Sequence, residues 1–294
     1  MATVVHGTNA DATLGTLTEL TRLRVSALSS LTGAAGYVAC ARGVDWGVAP
    51  ASIGIVLLAM GGSALNQVQE RDHDALMMRT RHRPLPTGAV SQEAAVGLAL
   101  ALSAVGFAML LTGGNLTAGL MGLLAMFWYN GVYTPLKRVT AFAAVPGALV
   151  GALPPVIGWA AAGGNPLDPT ILALCTVLFI WQVPHFWLVL LLYGEDYERA
   201  AFPTIERLLS RAGLSRLTFT WLAVTATSSV LVLAFGAIRS APSALLLSGA
   251  ALSLAWQSLA LLRPRPLYGR VFLHTNLFAL ALVLSVLLDP LFAR

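Results

Sequence analysis

Charge is what this sequence has least of: only 11% of its residues are Asp, Glu, Lys or Arg, against about 25% in an average soluble domain. With so little charge and 57% hydrophobic residues, the chain reads as a polytopic membrane protein rather than a soluble one. Cysteine is nearly absent as well. Cys40 and Cys175 each lie in an apolar segment with no CxxC or metal-ligand spacing, which leaves little room for a disulfide framework. The first 20 residues lack a basic start followed by an apolar core, so a cleaved signal peptide is not expected. No Walker loop, GxSxG, HExxH or Rossmann fingerprint occurs, so neither nucleotide energy nor hydride transfer is suggested.

What is there is a series of apolar runs, each close to the ~20 residues a spanning helix needs. They cover roughly 25–42, 47–66, 90–112, 116–134, 142–162, 169–192, 217–237, 241–262 and 271–288, which predicts an all-α bundle of nine transmembrane helices in one domain over 1–294. Residues 1–19 form a polar tail, a candidate for disorder. Gly113-Gly114-Asn115 and Gly163-Gly164-Asn165-Pro166 split the longest uncharged stretches with tight-turn chemistry. Of the 18 basic residues, all but Arg42, Arg239 and Arg294 fall on one side of the alternating spans. By the positive-inside rule that side is cytoplasmic, with the amino terminus inside and the carboxyl terminus outside a bacterial-type inner membrane. The net charge of +5 is thus explained by topology, and nucleic acid is not implied.

The acids need another cause, because they contribute little to orientation. Asn66, Glu70 and Asp74 stand at i, i+4 and i+8, which places them along one helix face where a span reaches the surface. Such an oxygen-rich stack suits a hard divalent cation such as Mg2+, and Arg79, Arg81 and Arg83 just beyond suit phosphate oxygens. A second acidic segment, Gly194–Ala200, follows the sixth run and offers a carboxylate wall opposite the first. For either segment the plainer reading is a solvated, charged helix end. Just inside the membrane, Trp181-Gln182-Val183-Pro184-His185-Phe186-Trp187 reads either as an aromatic belt with a proline kink or as a pocket wall. As a wall, its rings would face developing positive charge and His185 would handle a proton. Lys137 and Arg138, in Tyr133–Thr140, are either topology determinants or a diphosphate clamp, with the Tyr133 hydroxyl at the pocket mouth. Gly147, Gly151, Pro154 and Pro155 permit close helix approach and a bend.

Taken together, these pieces resemble the UbiA superfamily of membrane prenyltransferases, and within it the protoheme IX farnesyltransferase (haem O synthase) subfamily. The resemblance is carried by LTRLRV (20–25), NQVQERDHDALMMRTRHRPLPTG (66–88), YTPLKRVT (133–140), GALPPVIGW (151–159), WQVPHFW (181–187) and DYERAAFP (196–203), with RVFLHTNL (270–277) matching weakly. The 66–88 block and WQxPHF are the subfamily-specific parts. The resemblance implies a nine-helix bundle with cytoplasmic active-site loops, Mg2+ as cofactor, and farnesyl diphosphate and haem B as substrates. It implies Asn66, Glu70, Asp74 and Asp196 as metal ligands and catalytic groups, with His185 a further catalytic candidate. Arg79, Arg83, Lys137 and Arg138 would bind diphosphate, and Tyr133, Trp181, Gln182, Phe186 and Trp187 would line the pocket. A haem A synthase or haem-copper oxidase assembly partner would lie downstream. Glu70 stands where the family has Asp, Ala143 where Asn is common, Ala201 where Gly is common and Thr204 where Met is common. The rival readings are a UbiA-type enzyme for aromatic or quinone precursors, a transporter, and a haem-binding assembly factor. A transporter should carry its ionisable groups near mid-membrane, whereas here they gather at one face.

Overall fold

The computed structural model describes residues 9–293, and among them every regular element is helical. In chain order these are α1 (Asn9–Leu20), α2 (Leu23–Ala41), α3 (Val48–Leu76), α4 (Gln92–Thr112) and α5 (Leu116–Phe127). Next, α5 runs through a π-helical stretch (Trp128–Tyr133) into α6 (Thr134–Leu136), followed by α7 (Ala144–Ala161) and α8 (Pro169–Arg199). After a 3-10 turn (Ile205–Arg207) come α9 (Arg211–Ala234), α10 (Ala241–Ser258) with a 3-10 extension (Leu259–Leu262), and α11 (Tyr268–Phe292). The starts of several helices are written in local sequence. The side chains of Ser91, Asn115, Asp168, Ser210 and Ser240 each accept a hydrogen bond from a backbone N–H of the first turn, satisfying donors a helix leaves unpaired.

Seven helices are long and apolar enough to cross a membrane: α3, α4, α7, α8, α9, α10 with its extension, and α11. This makes the chain a multi-pass membrane protein. Two of the nine runs expected from the sequence fall short for visible reasons. In α2, Arg24 and several Ser, Thr and Gly residues dilute the apolar content. In the 116–134 run, the α-helix gives way to the π-helical stretch after Phe127. The polar tail, a candidate for disorder by its sequence, is helical from Asn9 into Leu20, and its first eight residues lie outside those described.

Each helix packs beside its neighbours around the bundle, and α11 returns to pack on both α2 and α8. The tightest approach joins α2 to α7. A Cβ added at Gly158 would run into the Gly33 carbonyl oxygen, and one at Gly36 into that of Pro155, so only glycine allows this contact. At one end of the bundle Asn115 Nδ2 donates to Ala160 O (2.6 Å) and Trp159 Nε1 to Asn165 O (3.0 Å), knitting the two glycine turns together. There too, buried Asp289 accepts from the backbone N–H groups of Arg239 and Ser240 and from the Ser240 hydroxyl, closing the α9–α10 turn onto α11. The opposite end is left to the charged segments.

Candidate active site

The last turns of α3 carry the acids inward. Asn66, Glu70 and Asp74 are 1%, 4% and 3% exposed, whereas Arg71 and Asp72 between them face outward. This is the separation that helical spacing predicts. Each inward group has a specific neighbour. Asn66 Nδ2 donates to Thr134 Oγ1 at 2.9 Å, while its Oδ1 is buried without a partner. Glu70 forms an ion pair with Lys137, and Asp74 Oδ2 accepts from Arg83 Nη1 at 2.7 Å. Arg138 donates to the Gln69 carbonyl on the same helix. The π-helical stretch matters here, because it delivers Thr134 and Lys137 against α3 from the end of the α5–α6 column.

The chain after α3 turns back over these acids. Thr80 Oγ1 donates to the Asp74 carbonyl at 3.0 Å and begins the turn that returns Arg83 to Asp74. Asp196 holds the outside of that turn. Its Oδ1 accepts from Met78 N–H at 3.0 Å and its Oδ2 from Arg79 N–H at 3.1 Å. It reaches them because α8 kinks at Tyr193, where φ −128° and ψ 25° leave the helical region, so that Gly194–Arg199 forms a separate arm. Of the acids on this arm, Asp196 is turned inward while Glu195 and Glu198 are exposed. Expected across the mouth as a metal ligand, Asp196 is found with both oxygens engaged by backbone amides and with Arg199 at 3.4 Å. Met77, Ala200 and Phe202 seal the two segments together, and Lys137 Nζ lies over the rings of Tyr133 (5.6 Å) and Phe202 (5.5 Å).

Positive charge is in excess around the pair of buried carboxylates. Burial lowers the pKa of Lys137, with Glu70 opposing, and burial and then neighbouring Arg22 lower that of Arg83, with Asp74 opposing. Arg22 is the residue sequence reasoning missed, having been read only as a topology determinant. It sits in a left-handed turn (φ 46°) between α1 and α2, which aims its side chain inward, and its Nη1 donates to Tyr129 Oη at 3.4 Å. Its Nε is buried without a partner, and Glu70 and Asp74 act on it electrostatically. The available signal was its place in LTRLRV, one of the matching pieces. Crowded cations with unfilled donors are suited to an anion with several oxygens. Arg79 is exposed, with its guanidinium 5.8 Å from the Tyr193 ring centre.

The aromatic segment divides between two surroundings. Phe186 stacks on Tyr133 with ring centres 5.8 Å apart, carrying the wall up to the acidic mouth. His185 lies between Trp181 (5.0 Å) and Phe272 (5.1 Å), hydrogen-bonds to Asn276, and keeps a buried, unpartnered Nδ1. Trp181 Nε1 donates to Thr275 O at 2.7 Å, fixing α8 to α11, and Gln182 packs against Gly151 of α7. Trp187 packs edge-on to Trp221 of α9, in the main core. Among the described residues no group of three or more His, Cys, Asp or Glu side chains is gathered for a metal ion. The oxygen donors on α3 nevertheless suit a hard cation: they are buried and stacked, and Asn66 Oδ1 has no partner.

A description of the UbiA prenyltransferase family matches residues 29–283. A protoheme IX farnesyltransferase of Geobacter sulfurreducens is 45% identical over 225 residues, covering 76% of this chain and 83% of that protein. One from Azotobacter vinelandii is 35% identical over 300 residues, covering 98% of each. Among solved structures, an apo UbiA homologue from Aeropyrum pernix K1 aligns with a TM-score of 0.72 at 22% identity, over 90% of this chain and 96% of that one. A UbiA homologue from Archaeoglobus fulgidus bound to GPP and Mg2+ aligns with a TM-score of 0.63 at 15% identity, over 92% and 99%. At these identities the structural likeness is one of fold.

Proposed function

Because this chain belongs to the UbiA prenyltransferase family, we propose that it transfers the farnesyl group of farnesyl diphosphate to a vinyl group of protoheme IX, giving haem O. The observation that carries this reading is the likeness to protoheme IX farnesyltransferases, at 35% identity over 98% of both chains in one case. The buried mouth where acids, cations and aromatic rings meet supports it.

Diphosphate is held and drawn off by Arg22, Arg79, Arg83, Lys137 and Arg138, which come from the α1–α2 turn, the segment after α3 and the end of α6. Asn66, Glu70 and Asp74 would hold Mg2+, which when bound neutralises charge on the leaving diphosphate. Asp196 keeps the basic turn in register through its two amide contacts. The faces of Tyr133 and Phe186, with Trp181 deeper, stabilise the allylic cation left on the farnesyl chain and keep water from it. The vinyl carbon takes up that cation, water adds to the carbon made electron-poor, and a proton leaves. We assign that proton to His185, whose buried Nδ1 has no partner.

In this reading α2 and the α5–α6 column are the eighth and ninth crossings of a single-domain bundle. The basic segments and the amino terminus then lie in the cytoplasm and the carboxyl terminus outside. Mass spectrometry of haem extracted from cells with and without this protein tests the assignment. Haem O should appear only with it, and an unchanged haem pool would refute the reading.

A further inference from the structure

A second polar feature lies away from the acidic mouth, on the outer side of α10 and α11. A cavity of about 410 Å³ opens there, lined among others by Leu245, Gly249, Ser253, His274, Leu277 and Phe278. Its floor is bare: a Cβ added at Gly249 meets no atom. His274 is half-buried, with Nδ1 3.3 Å from Ser253 Oγ. A hydroxyl on Nδ1 fixes that side of the ring and leaves Nε2 for another partner, as in imidazoles that ligate metals. An ionisable group within a spanning helix is a functional candidate by default. Arg270 stands at i−4 on the same face of α11, exposed and one turn nearer the helix start. Arg263 and Arg265 precede it, both exposed, so this rim is basic.

We propose that this groove is a docking site for an iron porphyrin, with the ring in the apolar cleft, iron on His274 Nε2 and the porphyrin carboxylates on Arg270 and its basic neighbours. An amphiphile with an apolar metal-bearing body and an anionic edge matches the cavity, the imidazole and the rim at once. His185 offers no comparable space, since Trp181, Phe186 and Phe272 flank it at 5.0–6.1 Å. The two sites share α11, which turns Phe272 and Asn276 toward His185 and His274 toward α10. The proposal rests on haem being the acceptor and adds where it is taken up from the bilayer.

The test titrates the full-length protein in lipid nanodiscs with iron mesoporphyrin IX, whose ethyl groups replace the vinyls so that it cannot be prenylated. A saturable Soret shift of imidazole-ligated iron is expected, with affinity reduced at least tenfold in His274→Ala. Gly249→Leu, which keeps the imidazole and fills the floor, should weaken binding comparably, and Arg270→Ala by a smaller factor. Wild-type affinity in His274→Ala, loss of ligation only in His185→Ala, or no saturable binding would each overturn the proposal. Normal mesoporphyrin binding in a protein that leaves haem B unmodified would support the groove and defeat the acceptor assignment.

Discussion

Replacing Asp196 by Asn separates two roles for the second acidic segment. In the structure its oxygens accept from the amides of Met78 and Arg79 at 3.0 and 3.1 Å, and the residue is 7% exposed. A hydrogen bond to a charged group contributes about 1.5–3 kcal/mol. Asn keeps one carbonyl acceptor, offers an NH2 where a second acceptor is needed, and removes the charge. One charged bond is therefore lost and the other weakened, a total of roughly 2–4 kcal/mol on the same scale. At about 1.4 kcal/mol per factor of ten, the turn over Asp74 should open some 30- to 700-fold more often. Hydrogen exchange at residues 78–83, followed by mass spectrometry, reads this directly. The expected result is faster exchange in that segment, a raised KM for farnesyl diphosphate, and little change in the Mg2+ concentration for half-maximal rate at saturating diphosphate. Unaltered exchange with a large rise in Mg2+ requirement would refute the anchoring role and return Asp196 to the metal.

Glu70→Gln should leave Lys137 buried without its partner, at a cost of about 3 kcal/mol. Thermal unfolding should show the loss, Glu70→Gln/Lys137→Met should recover most of it, and neither variant should regain transfer; recovery of transfer in the double variant would contradict a direct role for these groups. Burial lowers the Lys137 pKa below 10.5, so the folded state binds fewer protons than the unfolded chain between the folded pKa and 10.5. Stability contributed by this group therefore rises with pH across that window, while transfer, which needs the ammonium, falls as pH passes the folded pKa. Lys137→Arg should move the alkaline limb of the rate profile upward, and an unmoved limb would exclude Lys137 as its source. Ala201 adopts φ 56°, a left-handed conformation costing a non-glycine residue about 1–2 kcal/mol. Ala201→Gly should accordingly raise the unfolding temperature, and a lower value would contradict that origin of strain.

The stack of Asn66, Glu70 and Asp74 was legible because helical spacing is local. The inward turn of Arg22 was not, since it depends on a backbone break at residue 22 and on Tyr129, more than a hundred residues away. Phe186 and Trp187 were read as one wall, yet successive helical residues point about 100° apart. One therefore meets Tyr133 and the other Trp221. Asp196 was legible as an acid at the mouth but not as an acceptor for amides, because its partners belong to a turn with no sequence motif for receiving it. The unusual Ala201 was visible as a departure from the family pattern, and its left-handed backbone supplies a reason for glycine there.

The central claim is tested most directly by incubating the purified protein with haem B, Mg2+ and isotopically labelled farnesyl diphosphate, then analysing the haem by mass spectrometry. The account predicts a labelled product heavier than haem B by one farnesyl group and one hydroxyl group, formed only when all components are present. Unlabelled haem B, with the farnesyl label passed instead to a quinone precursor or released to water, would contradict it.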